Sequence, residues 1–175
     1  MAHPREMPVG TEALTGPRVA VGELEQHRPL LTAFAARLLG SRDDAEDVVQ
    51  EALLTAHQHA ARYDGRAGPR AWLLGIVANH CRSWWRKHHR RLQRERRAAT
   101  PAASLDREPN GLVLAAVLEL PLRLREPLVL RYLGDLSYRE VGEVLGLSED
   151  AARQRVHRAR ARLRALLRDD LKEDC

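Results

Sequence analysis

Residues 136–167 read LSYREVGEVLGLSEDAARQRVHRARARLRALL. Ser137, with Glu140 three residues on, has the spacing of a capping box, and Leu136, Val141, Val144 and Leu145 recur at helical intervals. Gly146 ends that helix and Leu147 fills the turn. Ser148 caps the next helix, whose first turn carries Glu149 and Asp150 where the macrodipole favours negative charge. Two helices joined by so tight a turn make a helix-turn-helix. Its second helix is dense in arginine, with seven between positions 153 and 168 and no acid until Asp169. Such a helix carries side chains to base edges in the major groove while neighbouring cations hold phosphates. With Val156, Leu163 and Leu167 turned inward, Gln154, His157, Arg158 and Ala161 share an outer face. Gln154 suits adenine and Arg158 suits guanine, each contact worth about 1–3 kcal/mol of discrimination. Arg153 and Arg155 flank that face and suit phosphates. The capped turn favours this reading over a merely solvated arginine-rich surface.

Working back from this motif, residues 112–133 give two further short helices separated by Pro121. Ahead of them, residues 98–111 hold two prolines and no apolar stripe, the pattern of a flexible linker. Residues 21–97 form a first helical block. Glu23 to Leu39 carries Leu24, Leu31, Phe34, Ala35 and Leu38 at helical spacing; Pro29 delays the regular start, and Gly40 stops the run. Ser41 opens a helix whose stripe is Ala45, Val48, Val49, Ala52, Leu53 and Ala56, with Asp44, Asp47 and Glu51 on the other side. That acidic side is either a docking surface or plain solvated helix. Two glycines and Pro69 then mark a loop from position 63. Beyond it, Trp72, Leu73, Ile76, Val77, His80 and Trp84 form an apolar face that runs into a basic tract, eight Lys or Arg against one acid between positions 82 and 97. The tract is a solvated helix end or a platform for stacked bases and phosphates. Trp72 and Trp84 fall on the core side, which leaves Trp85 as the exposed stacking candidate. Residues 1–20 read as a flexible arm.

The 175 residues, 44% hydrophobic but only 4% aromatic, suffice for modest helical cores of Leu, Val and Ala. Strand patterns are absent, so the expected class is all-α: two small helical domains joined by a flexible linker, the C-terminal one a helix-turn-helix, winged-helix-like without the wing. The net charge of +5 arises from 29 basic and 24 acidic residues, so local clustering matters more than the total. No run reaches the roughly 18–20 apolar residues that span a bilayer. The first residues lack a signal-peptide core, and a cytoplasmic protein without membrane partners is expected. Cys81 and Cys175 describe no disulfide framework. His57, His59, His80, His88 and His89 with Cys81 fit zinc spacing only loosely. No phosphate loop, nucleophile elbow or paired base accompanies the acidic residues. Neither metal, cofactor nor catalytic site is expected.

Three motifs, DAEDVVQEALLTA at 44–56, RAWLLGIVANHCRSWWRK at 70–87 and the long run LPLRLREPLVLRYLGDLSYREVGEVLGLSEDAARQRVHRARARL at 120–163, together resemble the bacterial extracytoplasmic-function (ECF) sigma factors of the sigma-70 family. The resemblance spans positions 23 to 167. It implies sigma region 2 at 21–97 and sigma region 4 at 112–171. It also implies that Asp44, Asp47, Gln50 and Glu51 dock on the clamp of core RNA polymerase. Tyr63, Asn79, Arg82, Trp85, Arg86 and Lys87 would meet the minus-ten element, with a base flipped toward Tyr63 and Asn79. Arg153, Gln154, Arg155, His157 and Arg158 would read the minus-thirty-five element. Promoter DNA, core polymerase and an anti-sigma factor are the implied partners. The chain departs from the family at Asp150-Ala151-Ala152, where Gly-Thr-Val is common, so a phosphate-holding hydroxyl is missing. The competing expectation is a stand-alone helix-turn-helix regulator that binds duplex DNA unaided.

Overall fold

The computed structural model describes residues 21–96 and 109–173. Among these, all regular structure is helical, as the sequence pattern requires. The expected arm at 1–20 and positions 97–108 of the linker region lie outside the described residues.

Helices α1 (Val21–Gln26) and α2 (Arg28–Leu39) are separated at His27, and Pro29 sits in the first turn of α2, where its missing N–H costs no intrahelical bond. Gly40 ends α2 in the left-handed region at φ 79°. Ser41 then caps α3 (Arg42–His59) by accepting a hydrogen bond from the Asp44 amide at 3.3 Å. A 3-10 turn (Ala60–Arg62) and the Gly/Pro loop lead to α4 (Pro69–Arg96). Phe34, Leu31 and Leu38 of α2, Val49 and Ala52 of α3, and Leu73, Leu74 and Val77 of α4 are essentially inaccessible to solvent, so the three helices close one core.

The C-terminal block is α5 (Pro109–Glu119), α6 (Leu122–Tyr132), α7 (Tyr138–Leu145) and α8 (Glu149–Glu173). Helix α5 begins three residues before the expected domain start at 112, because Pro109 opens its first turn. The capping box on α7 is complete: the Ser137 hydroxyl takes the Glu140 amide, and the Glu140 carboxylate takes the Ser137 amide at 2.8 Å. Gly146 ends α7 at φ 65°. Gly142 has a different reason to be glycine, since a Cβ there would lie 2.7 Å from the Leu147 carbonyl oxygen. That close approach makes the turn tight. The Ser148 hydroxyl accepts from the Ala151 amide at 3.2 Å, so α8 starts as the sequence pattern requires. Its inner face is Ala152, Val156 and Ala159, all buried, followed by Leu163 and Leu166.

Periodicity did not show how the two blocks meet. They share a continuous apolar core, with Leu120, Leu128, Leu130 and Val141 joining the cluster built around α2 and α4. Small residues bring the helices together at the seam. A Cβ on Gly134 would lie 3.0 Å from Leu74, and one on Gly40 would lie 3.3 Å from Leu118.

Candidate nucleic-acid interface

Helix α8 sets the register of the first candidate surface. Because Ala152, Val156 and Ala159 point inward, Gln154, His157, Arg158 and Ala161 are exposed together, as their spacing requires. Arg155 is half-buried beside them. Arg153 is exposed but occupied: it donates to Glu149 at 2.7 Å and Asp150 at 3.2 Å, and its guanidinium lies 5.3 Å from the centre of the Tyr138 ring. It must exchange these partners to reach a phosphate.

Helix α4 presents the second surface. Asn79, Arg86 and Lys87 are exposed. Arg82 donates to the Asn79 side-chain oxygen, and Arg86 donates to the Ser83 hydroxyl at 3.0 Å. Two expectations need correction. Trp85 is not an open stacking platform: its indole N–H donates to the Leu38 carbonyl at 3.1 Å, Trp84 meets it edge-on at 5.8 Å, and Arg125 covers its ring. The N–H finds a partner at the end of α2, which draws the ring inward. Tyr63 is also buried. Its hydroxyl donates to the Ala67 carbonyl and its ring lies 5.0 Å from Trp72, so it braces the loop instead of lining an open pocket. Burial, then the nearby Asp64 charge, raises the Tyr63 pKa. Trp84 packs on the core as expected and stacks on His88 at 4.3 Å.

Helix α3 carries the acidic surface. Asp47, Gln50 and Glu51 are exposed, whereas Asp44 is half-buried by its place in the first turn. Glu51 lies 3.5 Å from His80 of α4, which also meets Thr55 at 3.1 Å. Leu54, 58% exposed, interrupts the polar surface with an apolar contact point.

Sequence reasoning missed the charged residues at the seam. Arg125 is buried and donates to the carbonyls of Leu38, at 2.6 Å, Leu120, at 3.0 Å, and Leu118. Glu126 is buried beside it and pairs with Arg82 at 3.1 Å. Burial raises the Glu126 pKa, opposed by the charges of Arg82 and Arg155. The available signal was spacing: Arg125 and Glu126 fall three and four residues after Leu122, on a stripe otherwise apolar. Cys81 is buried as well, and its thiol is pushed up to about 12, first by burial and then by the Glu126 charge.

Among the described residues the fold is all-helical, with a capped helix-turn-helix and two helices, α4 and α8, that carry exposed basic residues. Residues 24–91 match the family model for sigma-70 region 2, and residues 110–163 match that for sigma-70 region 4. The chain is 35% identical over 153 residues to the ECF RNA polymerase sigma factor EcfG of Rhodopseudomonas palustris, covering 83% of each. Among solved structures it resembles the sigma factor RpoE in complex with the anti-sigma factor NepR from Bartonella quintana, with TM-score 0.71 and 30% identity over 84% of this chain and 95% of that one. It also resembles CnrH in complex with the cytosolic domain of CnrY, with TM-score 0.64 and 32% identity over 86% and 88% of the two chains. The chain belongs to the ECF sigma factors of the sigma-70 family, which direct promoter-specific transcription initiation.

Proposed function

We propose that the three surfaces divide the work of promoter-specific initiation. The acidic face of α3, with Asp44, Asp47, Gln50 and Glu51, docks on core RNA polymerase. Asn79, Arg82, Arg86 and Lys87 on α4 engage the minus-ten element, and Gln154, His157 and Arg158 read the minus-thirty-five element with Arg153 and Arg155 on phosphates. Trp85 and Tyr63 serve this surface by fixing α4 and its loop. A base entering near Tyr63 requires that ring or the loop to move.

The observation that carries the reading is the shared outward face of Gln154, His157 and Arg158 on the Ser148-capped α8, in the same chain as the acidic α3. A stand-alone regulator needs no such acidic docking helix. The chain then performs no catalytic step of its own and works with polymerase in the cytoplasm. Among the described residues no helix is long and apolar enough to cross a membrane. The solved relatives captured with NepR and with CnrY support an anti-sigma factor as a further partner. Purified protein should bind core polymerase and start transcripts at its promoter, while a gel shift without polymerase should show weak DNA binding. Tight duplex binding unaided, with no core binding, would instead identify a regulator.

A further inference from the structure

Asp150 stands in the first turn of α8, on the face that carries the candidate base readers. Gln154, His157, Arg158 and Ala161 follow it at four, seven, eight and eleven residues, the spacing of one helical face opposite the buried Ala152, Val156 and Ala159. Its side chain is 83% exposed and accepts a hydrogen bond from Arg153 at 3.2 Å. The carboxylate is not needed at the helix end, because the Ser148 hydroxyl takes the Ala151 amide at 3.2 Å. Glu149 lies to one side, nearer the buried stripe, and holds Arg153 at 2.7 Å, while the Tyr138 ring backs the same guanidinium at 5.3 Å. Arg153 therefore keeps two partners when Asp150 leaves it.

An acid on a face that approaches DNA is repelled by phosphate, so its complement must lie on a base. In the major groove that complement is an exocyclic amino group. Cytosine presents its N4 amino group there with no acceptor on the same base. Guanine presents N7 and O6, and thymine O4, all acceptors that repel a carboxylate; adenine sets its N6 amino group beside the N7 acceptor. The N-terminal residues of a recognition helix are the ones that reach base edges. From Asp150 to Arg158 the helix rises about 12 Å, so this face covers roughly three or four base pairs at about 3.4 Å each. Gln154 is about 6 Å along the axis from Asp150, a separation of one or two pairs. The glycine common at this place in the family offers no side chain to a base, so a reader at position 150 is not part of the common pattern.

We propose that Asp150 is a specificity-determining residue of the minus-thirty-five contact, whose carboxylate accepts a hydrogen bond from the amino group of a cytosine one or two pairs from the base that Gln154 meets. The inference rests on the sigma-factor reading above and deepens it. The base amino group takes the place of the Arg153 N–H on the carboxylate, and the released N–H turns to a phosphate oxygen. Both groups of the exposed pair thus find a partner in the complex. The acid selects by exclusion as well as by attraction, since guanine or thymine at that pair sets a desolvated carboxylate against an acceptor. Its repulsion of phosphate weakens all sequences alike, because phosphate contacts carry no sequence information. The result is a contact that gives up some affinity and gains discrimination at one position.

Holoenzyme assembled from the full chain and purified core polymerase, given a promoter library randomised through the minus-thirty-five element, reports the base preference at each position when its transcripts are sequenced. The unaltered chain should favour cytosine at one position by roughly fivefold to a hundredfold. Asp150→Ala should erase that preference and leave the other positions within about twofold. Asp150→Asn should move it to adenine, because a carboxamide pairs with both N6 and N7 of that base. A disturbed helix or a lost charge would not exchange one base for another. The proposal is overturned by a cytosine preference that is absent from the unaltered chain or survives Asp150→Ala, by an equal change at every sequence in that variant, or by an Asp150→Asn chain that does not turn to adenine. Holoenzyme that starts no transcript from any member of the library would instead overturn the sigma-factor reading.

Discussion

Arg158 and Arg125 are chemically alike and placed in opposite settings, which decides what each can do. Arg158 is exposed on α8 with its donors available to a base edge, whereas Arg125 is buried with its donors on backbone carbonyls. Replacing Arg158 with alanine should spare core binding and relax selectivity at one position of the minus-thirty-five element by about 1–3 kcal/mol. A base-substitution series measured with holoenzyme checks this; uniform weakening across all sequences would assign Arg158 to phosphate. Glu140 works differently, through the cap. Its pKa is lowered, first by the Ser137 hydroxyl and then by the Ser137 amide, so the folded state favours its carboxylate. The contribution is fully present above the ordinary value of 4.5 and is lost as pH falls through the lowered folded value. Urea midpoints taken across the acid range should therefore fall less steeply in Glu140→Gln than in the unaltered protein. The cap was legible in the sequence because its partners are three residues apart. The role of Glu126 was not, because its partner Arg82 is distant along the chain.

At the scale of elements, α3 and α8 follow directly from their patterns. Each buries one stripe and exposes the opposite face, so the side chains on that face are fixed once the helix forms. Replacing Asp47 and Glu51 together with lysine leaves the buried stripe untouched, because both are exposed. The double variant should keep its helicity and its melting temperature within a few degrees. Its affinity for core polymerase should fall by roughly a hundredfold or more, from like-charge contact with the clamp. Equal affinity in a competition assay would remove α3 from the interface. Helix α4 was harder to read. Its apolar face was visible in the sequence, but adjacent Trp84 and Trp85 point to different parts of the surroundings. The Leu38 carbonyl at the end of α2, distant in sequence, takes the indole N–H of Trp85 and holds that ring inward.

At the scale of the whole molecule, the shared core makes accessibility a property of both blocks. Cys81 lies under that core, close enough to Glu126 of α6 for the carboxylate's charge to raise its thiol pKa further. In a Cys175→Ser chain, iodoacetamide at pH 8 should leave Cys81 unmodified for as long as the chain stays folded, and label it fully in denaturant; mass spectrometry reads both states. Labelling of the folded chain at the denatured rate would contradict this burial. The sequence by itself determined the all-helical class, the caps and the turn of the helix-turn-helix, and the faces of α3 and α8. Those depend on hydrogen bonds and side-chain spacing within a few residues. Only the tertiary structure decided that the two blocks close on one another, that Trp85 and Tyr63 are braces, and that Glu126 holds Arg82. Burial and the pairing of distant charges depend on which surfaces meet, and no local pattern specifies that.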